Sequence, residues 1–580
     1  MKLAMRIFVL AILLGFPNVS LAQQIIEPGQ LRPGQEAQGP FEVNPFAGPD
    51  TTPMNTSGPW IDVPEGRSKN GNGDVAAPGT PVINATPPPI KVHINDDGST
   101  TVEPSPVASP QSLLNGLTHP LATLTKLARR LGPAEANAQT VSAQFNGGLA
   151  SGLTPADAAG ATNGSFVLSA LNNAYYIYGT GGTLLKSRDG NGFWCNGPQV
   201  VNGCPSTGLN GTTQPLETFD TQIVWDSVNA RWVTSALGAT ASQLSSGTWM
   251  PVTYLGVSQT SDPRGMWNLY YFYTCGDNNP GDQPKLGIDS PAGWIIVESS
   301  LRNGSIYPKN NLQVFSEASL YAGTPPNNTN QFPFSDPNDL DRPAVTYAAN
   351  PPSGREYLVA SAVAGGTPAL YYSFLQNDPS TGKPLLTSNV FSVFIAYITG
   401  ATFDIPAGSD TRCNACIGTH DDARVRSATV QTLSNGDLFI IVPFNFAMAA
   451  GGTQIYLEQL DLATLTTVGG MSGSSGGTIF YPSAAADLAG DKVLLNFGFT
   501  APGNPALDPY PYTDFWFLDS LGSGESLFGK AGVAANAVSA RWGDYTTTTP
   551  DFASSGAAWS LGSYLDSNGR QHQWWMNISK

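Results

Sequence analysis

The feature that most constrains this chain is a strand entrance that recurs at intervals of about sixty residues. The stretches 219–226 (FDTQIVWD), 282–289 (DQPKLGID), 341–347 (DRPAVTY) and 422–430 (DARVRSATV) each set an acidic residue at the head of an apolar run. Two further stretches, 480–487 (FYPSAAAD) and 544–551 (DYTTTTPD), repeat the pattern more loosely. The starts at 220, 282, 341, 422, 481 and 544 lie 62, 59, 81, 59 and 63 residues apart. A second apolar strand follows several of them, at 231–237 (RWVTSAL), 293–297 (GWIIV), 356–360 (EYLVA) and 437–442 (DLFIIV). An earlier unit is expected near 160, where 161–170 (ATNGSFVLSA) leads into Tyr175 to Tyr178. A small sheet repeated at a fixed period is how a β-propeller uses its sequence. About 440 residues at about 63 per unit predict seven blades of four strands, with six as the alternative if one unit is misread. The last unit is short, so strands from 141–160 are expected to complete it and close the ring, because open sheet edges invite pairing with other chains. A stacked pair of β-sandwiches fits the even spacing less well.

Composition supports an all-β class, since 63 Gly and 47 Pro among 580 residues are too many turn formers for a helical protein. With 27 Lys and Arg against 43 Asp and Glu, the net charge is −16, and no basic run exceeds Arg129-Arg130. Nucleic acid is therefore a poor partner. Residues 1–22 read as an export signal: Lys2 and Arg6, the apolar run 7–16, then small residues at Ser20-Leu21-Ala22. That run is too short to span a membrane, so a secreted or periplasmic monomer is expected. From 23 to 140, 18 Pro and 12 Gly among 118 residues predict a mostly disordered leader. A leucine stripe at Leu113, Leu117, Leu121, Leu124, Leu127 and Leu131 suggests a short helix over 112–131, interrupted by Pro120. A second cleavage of the leader near Ala136-Asn137-Ala138 is open. The propeller is expected over 141–580.

Three stretches carry a resemblance: 261–270 (SDPRGMWNLY), 282–289 with Trp294 to Val297, and 540–545 (ARWGDY). They resemble a family of secreted bacterial propeller proteins of undefined activity, loosely within the sialidase-like propeller group. The resemblance spans about 160–580 and implies a fold more than an activity. Propellers of that group carry Asp-box turns, and 187–194 (SRDGNGFW) is similar to one, with 261–267 a looser echo. Both imply structural turns. The group's hydrolases present three arginines to a substrate carboxylate, and Arg342, Arg424 and Arg541 sit near matching strand starts. A fork of donors suits a carboxylate. Local pairing with Asp341, Asp422 or Asp544 is the competing reading. No Tyr/Glu nucleophile pair can be placed by motif.

The strand-start carboxylates Asp220, Asp282, Asp341, Asp422 and Asp544 are expected near one mouth of the channel. They suit calcium, sugar hydroxyls or glycosidic acid/base work, or they simply cap turn N–H groups. Among the candidates, Asp341, Arg342, Arg424, Arg541 and Asp544 are the catalytic set, and Asp220, Asp282 and Asp422 the substrate-binding set. Other chemistries lack parts. His420 and His572 are the only histidines in the propeller, and 473–477 (GSSGG) lacks the context of a nucleophile elbow. The stretch 524–531 (GESLFGKA) lacks the hydroxyl of a phosphate-binding loop. Export favours disulfides from Cys195 and Cys204 and from Cys413 and Cys416, with Cys275 the odd one; Cys413, Cys416, His420 and Asp421 or Asp422 are the alternative as a soft-metal set. Binding of a polysaccharide or cell-surface glycan is the leading expectation. A glycoside hydrolase or polysaccharide lyase at the same mouth is the alternative, and an adhesion scaffold with its binding surface on the blade sides is the third.

Overall fold

A computed structural model of the chain describes residues 24–31, 35–47, 50, 140–149, 153–195, 216–246, 251–273, 279–303, 306–336, 342–347, 354–395, 398–402, 424–448, 453–474, 478–500, 512–519, 524–530 and 543–579. It also describes short strands at 61–62, 67–68, 82–84, 90–94, 100–104, 275–276, 408–410 and 413–417.

Among the described residues, seven antiparallel meanders of four strands follow one another. Sheet 1 runs Ala159–Thr162, Phe166–Leu171, Ala174–Gly179, Leu184–Asp189. Sheet 2 runs Leu216–Asp226, Arg231–Thr240, Val252–Ser258, Trp267–Phe272. Sheet 3 runs Asn279–Asp289, Trp294–Asn303, Ile306–Ser316, Gln331–Asp336. Sheet 4 opens with the short pieces Arg342–Pro343 and Val345–Thr346 and continues through Arg355–Ala364, Thr367–Asn377 and Pro384–Phe394. Sheet 5 runs Thr429–Thr432, Leu438–Met448, Thr453–Asp461, Thr467–Ser474. Sheet 6 runs Thr478–Ala486, Lys492–Thr500, Tyr512–Asp519, Gly524–Lys530. Sheet 7 runs Thr547–Pro550, Ala557–Leu565, Gln571–Ser579, and takes its outer strand, Thr140–Leu149, from before sheet 1.

The first strand of each sheet touches the first strand of the next, and Thr547–Pro550 returns to Ala159–Thr162. The ring is closed, and the chain is an all-β propeller. Its core lies between successive sheets rather than at one centre. Trp225, Trp232 and Trp267 of sheet 2 pack on Tyr175 and Ile177 of sheet 1, while Val167 and Leu171 of sheet 1 meet Trp559 and Trp575 of sheet 7. Strands with both faces packed read as continuous apolar runs, as in Leu438–Met448, buried at every position but the last.

The described parts of the leader include strands that add to the propeller sheets. Gln24–Ile26 adds to the outer strand of sheet 4, and Gln38–Val43 to that of sheet 2. Between them Gly29 donates to the Pro333 carbonyl of sheet 3 at 2.8 Å. Short strands at Val82–Asn84 and Ile90–Ile94 extend sheets 4 and 5 in parallel. A Pro/Gly-rich segment cannot build its own core, but it can satisfy the N–H and C=O row of an existing edge. Buried Ala37, Val43 and Phe46 anchor it. The export signal and the leucine stripe of 112–131 lie outside the described residues.

Candidate functional site at the propeller mouth

The innermost strands run in the same direction, as the parallel pairings Ile288 to Val345 and Val345 to Thr429 show, so their entrances gather at one end of the channel. Near each entrance one residue faces its counterparts: Asp157, Asp220, Gln283, Arg342, Arg426, Tyr481 and Tyr545, in sheet order. Four of them hold positive φ: Asp157 at 40°, Asp220 at 52°, Gln283 at 47° and Tyr481 at 49°. In sheets 2, 3 and 6 the pairing register shifts at that point, between Phe219 and Gln222, Asp282 and Lys285, and Phe480 and Ser483. A bulge of this kind re-aims a side chain at the cost of backbone strain.

The contacts cross the channel. Arg426 donates to Gln283 Oε1 at 3.2 Å, and its guanidinium lies 5.5 Å from the centre of the Tyr481 ring and 6.0 Å from that of Tyr545. Arg424 donates to the same Gln283 oxygen at 2.6 Å, and Arg342 to Gln222 Oε1 at 3.2 Å. Tyr545, from sheet 7, feels Asp220 of sheet 2, Asp544, Arg426 of sheet 5 and Asp157; burial and these acids raise its hydroxyl far above the usual tyrosine value. It therefore stays protonated and is a donor. Burial draws Arg342 down to about 10, with Arg426 adding to the shift and Tyr545 and Glu298 opposing it. Beneath them Lys285 donates to Glu298 at 2.9 Å, 1% and 0% exposed. Burial lowers Lys285 and raises Glu298, and their contact opposes both shifts.

Acceptors are held as firmly. Asp157 takes the Asp544 N–H at 2.7 Å and the Asn172 amide at 2.5 Å, while Asn172 accepts the Asp220 N–H at 2.9 Å. Asp282 accepts the N–H of Gln283 at 3.0 Å. Two donors are left over: the Tyr545 hydroxyl and Arg342 Nε have no hydrogen-bond partner among the described residues. Arg342 is 7% exposed, Tyr545 5% and Arg426 4%.

Of the candidates read from sequence, Arg342, Arg424, Asp220, Asp282 and Asp544 are at this mouth. Asp341, Asp422 and Arg541 lie outside the described residues. Sequence reasoning missed Asp157, Gln283, Arg426, Tyr481 and Tyr545. They occupy the same place in the repeat as Asp220, but a repeat searched for acids passes over amides, phenols and cations. Among the described residues no three His, Cys, Asp or Glu side chains gather as a metal site. Cys413 and Cys416 fall on the strand Cys413–Ile417, and Cys195 ends the helical turn Gly190–Cys195; the cysteine side chains, and Cys204 altogether, lie outside the described residues. Gly524–Lys530 is a sheet strand, which removes the phosphate-loop reading. At the Asp-box-like stretch Gly192 donates to Asp189 at 2.6 Å and Trp194 to the Tyr175 hydroxyl at 3.1 Å, a turn pinned to the core.

No protein-family model matches the chain, and no curated protein matches its sequence. Among solved structures it is similar to an exo-β-1,3-galactanase from Clostridium thermocellum (10% identity, TM-score 0.28, 76% of this chain and 100% of that one). It is also similar to a Hadza microbial sialidase (11%, 0.33, 72% and 74%) and to an exo-β-1,3-galactanase from Phanerochaete chrysosporium (10%, 0.26, 76% and 99%). At these scores the propeller assignment rests on the closed ring of sheets described above.

Proposed function

We propose that the protein is a secreted or periplasmic propeller that binds an acidic polysaccharide or cell-surface glycan at the mouth where Arg342, Arg424, Arg426 and Tyr545 meet. The observation that carries this reading is the pair of unused donors, Arg342 Nε and the Tyr545 hydroxyl, buried beside clustered guanidiniums. Buried donors without acceptors are costly, and a sugar carboxylate reaching them would complete their hydrogen bonds with charge-assisted ones. Asp157 and Asp220 beside them suit sugar hydroxyls. Glycoside hydrolysis or lyase chemistry at the same mouth is the second reading, favoured by the three carboxylates Asp157, Asp220 and Asp544 acting on Tyr545. Binding ranks first because Tyr545 is held as a neutral phenol rather than as a base.

The test is retention of the full chain on immobilised acidic and neutral polysaccharides, with mass spectrometry of the supernatant. Selective retention by uronate-bearing polymers, reduced on the order of tenfold or more in Arg342→Ala and Tyr545→Phe, supports the reading. Released oligosaccharides move the assignment to hydrolase or lyase. Equal retention of wild type and Arg342→Ala ends it.

A further inference from the structure

At the opposite ends of the inner strands, between sheets 3 and 4, several buried oxygen atoms have no donor. Asp289 ends the strand Asn279–Asp289 and Glu356 lies at the head of Arg355–Ala364, both 0% exposed. One Asp289 oxygen accepts the Ala292 N–H at 3.2 Å; its other oxygen and both oxygens of Glu356 have no hydrogen-bond partner among the described residues. Thr346, 5% exposed, has a hydroxyl that also makes no hydrogen bond of proper geometry, yet it lies near enough to Glu356 to favour the ionised carboxylate. Glu356 Oε1 and the Ala344 carbonyl both crowd the Cα of Gly287, where a Cβ would meet them at 2.8 and 2.9 Å. The absence of a side chain at Gly287 leaves these oxygens their space.

Two carboxylates that repel each other in a dry wall need a counter-charge. No Lys, Arg or His forms an ion pair with either among the described residues. A single proton shared between the two carboxyl groups would serve two of these oxygens and leave the third unmatched. A cation would serve them together, and a set made only of carboxylate, hydroxyl and carbonyl oxygen suits a hard ion of flexible coordination. We propose that Asp289, Glu356 and Thr346 hold a calcium ion that ties sheet 3 to sheet 4, at the end of the channel away from the arginine cluster. The site is separate from the ring of strand-entrance acids and does not depend on the glycan reading.

Trp294 pairs directly with Asp289 across the strands, which makes terbium a fitting probe. The full chain, stripped with chelator and dialysed against calcium, is expected to retain one equivalent by metal analysis and to melt at higher temperature than the stripped form. Excitation of tryptophan is expected to sensitise terbium emission that calcium displaces. Glu356→Gln should abolish both responses, and Thr346→Val, which keeps the shape of the side chain, should weaken terbium binding on the order of tenfold. A stripped protein whose melting is indifferent to calcium overturns the proposal, as does a calcium response undiminished in Glu356→Gln. If Glu356→Gln does not fold, Thr346→Val decides, and unchanged terbium affinity there overturns the proposal.

Discussion

Both ends of the inner strands carry buried aspartates, but the two ends use them differently. At the far end they cap the turn into the second strand. Asp226 accepts the N–H groups of Val228 and Asn229 at 2.9 and 3.1 Å, Asp487 those of Asp491 and Lys492 at 2.9 and 3.3 Å, and Asp551 that of Ala553 at 2.9 Å. At the mouth, Asp157 and Asp220 stand on left-handed backbone and face cations and phenols from other sheets. Turn capping is a local need that each repeat meets for itself. Strain facing a shared axis serves nothing within its own sheet, and so it points to the mouth as the place where a glycan is bound.

The sharpest way to break that contrast is at Lys285. Lys285→Met removes the ion-pair partner of the buried Glu298, and a loss of about 3–5 kcal/mol in chemical denaturation is expected. Lys285→Met with Glu298→Leu should recover most of it. A smaller loss in the single variant would mean that the mouth's charges are not buried as a network.

Next comes pH. Burial pushes Glu458, in the third strand of sheet 5, up to about 8. Because the folded state holds that proton more tightly than the unfolded chain, stability is fully present below the unfolded carboxyl value and is lost as pH rises from about 5 to about 8. The expected loss is about 4 kcal/mol, and Glu458→Gln should flatten the profile. An unchanged profile in that variant would assign the dependence to another acid, such as Glu317, pushed up to about 8 by burial and by neighbouring Asp226.

The two classes of aspartate can then be compared directly. Asp226→Ala removes a turn cap and the acceptor of the Tyr321 hydroxyl at 2.7 Å, and a loss of about 1–3 kcal/mol is expected by thermal or chemical melting. Asp220→Gly relieves a left-handed backbone and should cost at least about 1 kcal/mol less than Asp226→Ala, while reducing glycan retention. Equal stability losses would erase the distinction. Smallest of all is Arg264→Ala, which breaks an ion pair with Asp262 that is 41% exposed on both sides; a change within about 0.5 kcal/mol is expected.

The repeat was legible because each sheet needs the same entrance and the same second strand, so Asp220, Asp282 and Arg231 to Leu237 carry its rhythm. Completion of the last sheet from before the first was legible from its missing length. The leader strands were not, since Gln24–Ile26 and Gln38–Val43 pair through backbone groups that no side-chain pattern records. At the mouth, Arg342 and Arg424 were found through their neighbouring acids. Tyr545 sits in the 540–545 stretch with no sequence signal for a role, because Asp157, Asp220 and Arg426 lie more than a hundred residues away and only closure of the ring brings them to it.

That closure has a consequence for the order in which the molecule is made. Thr140 pairs with Ser579, so the first strand of the ring waits for a partner synthesised more than four hundred residues after it. Until that partner is available, every intermediate is an arc with bare edges at both ends, and contacts of such long sequence separation form slowly. Chaperone protection of those edges would matter most just before Gln571–Ser579 emerges.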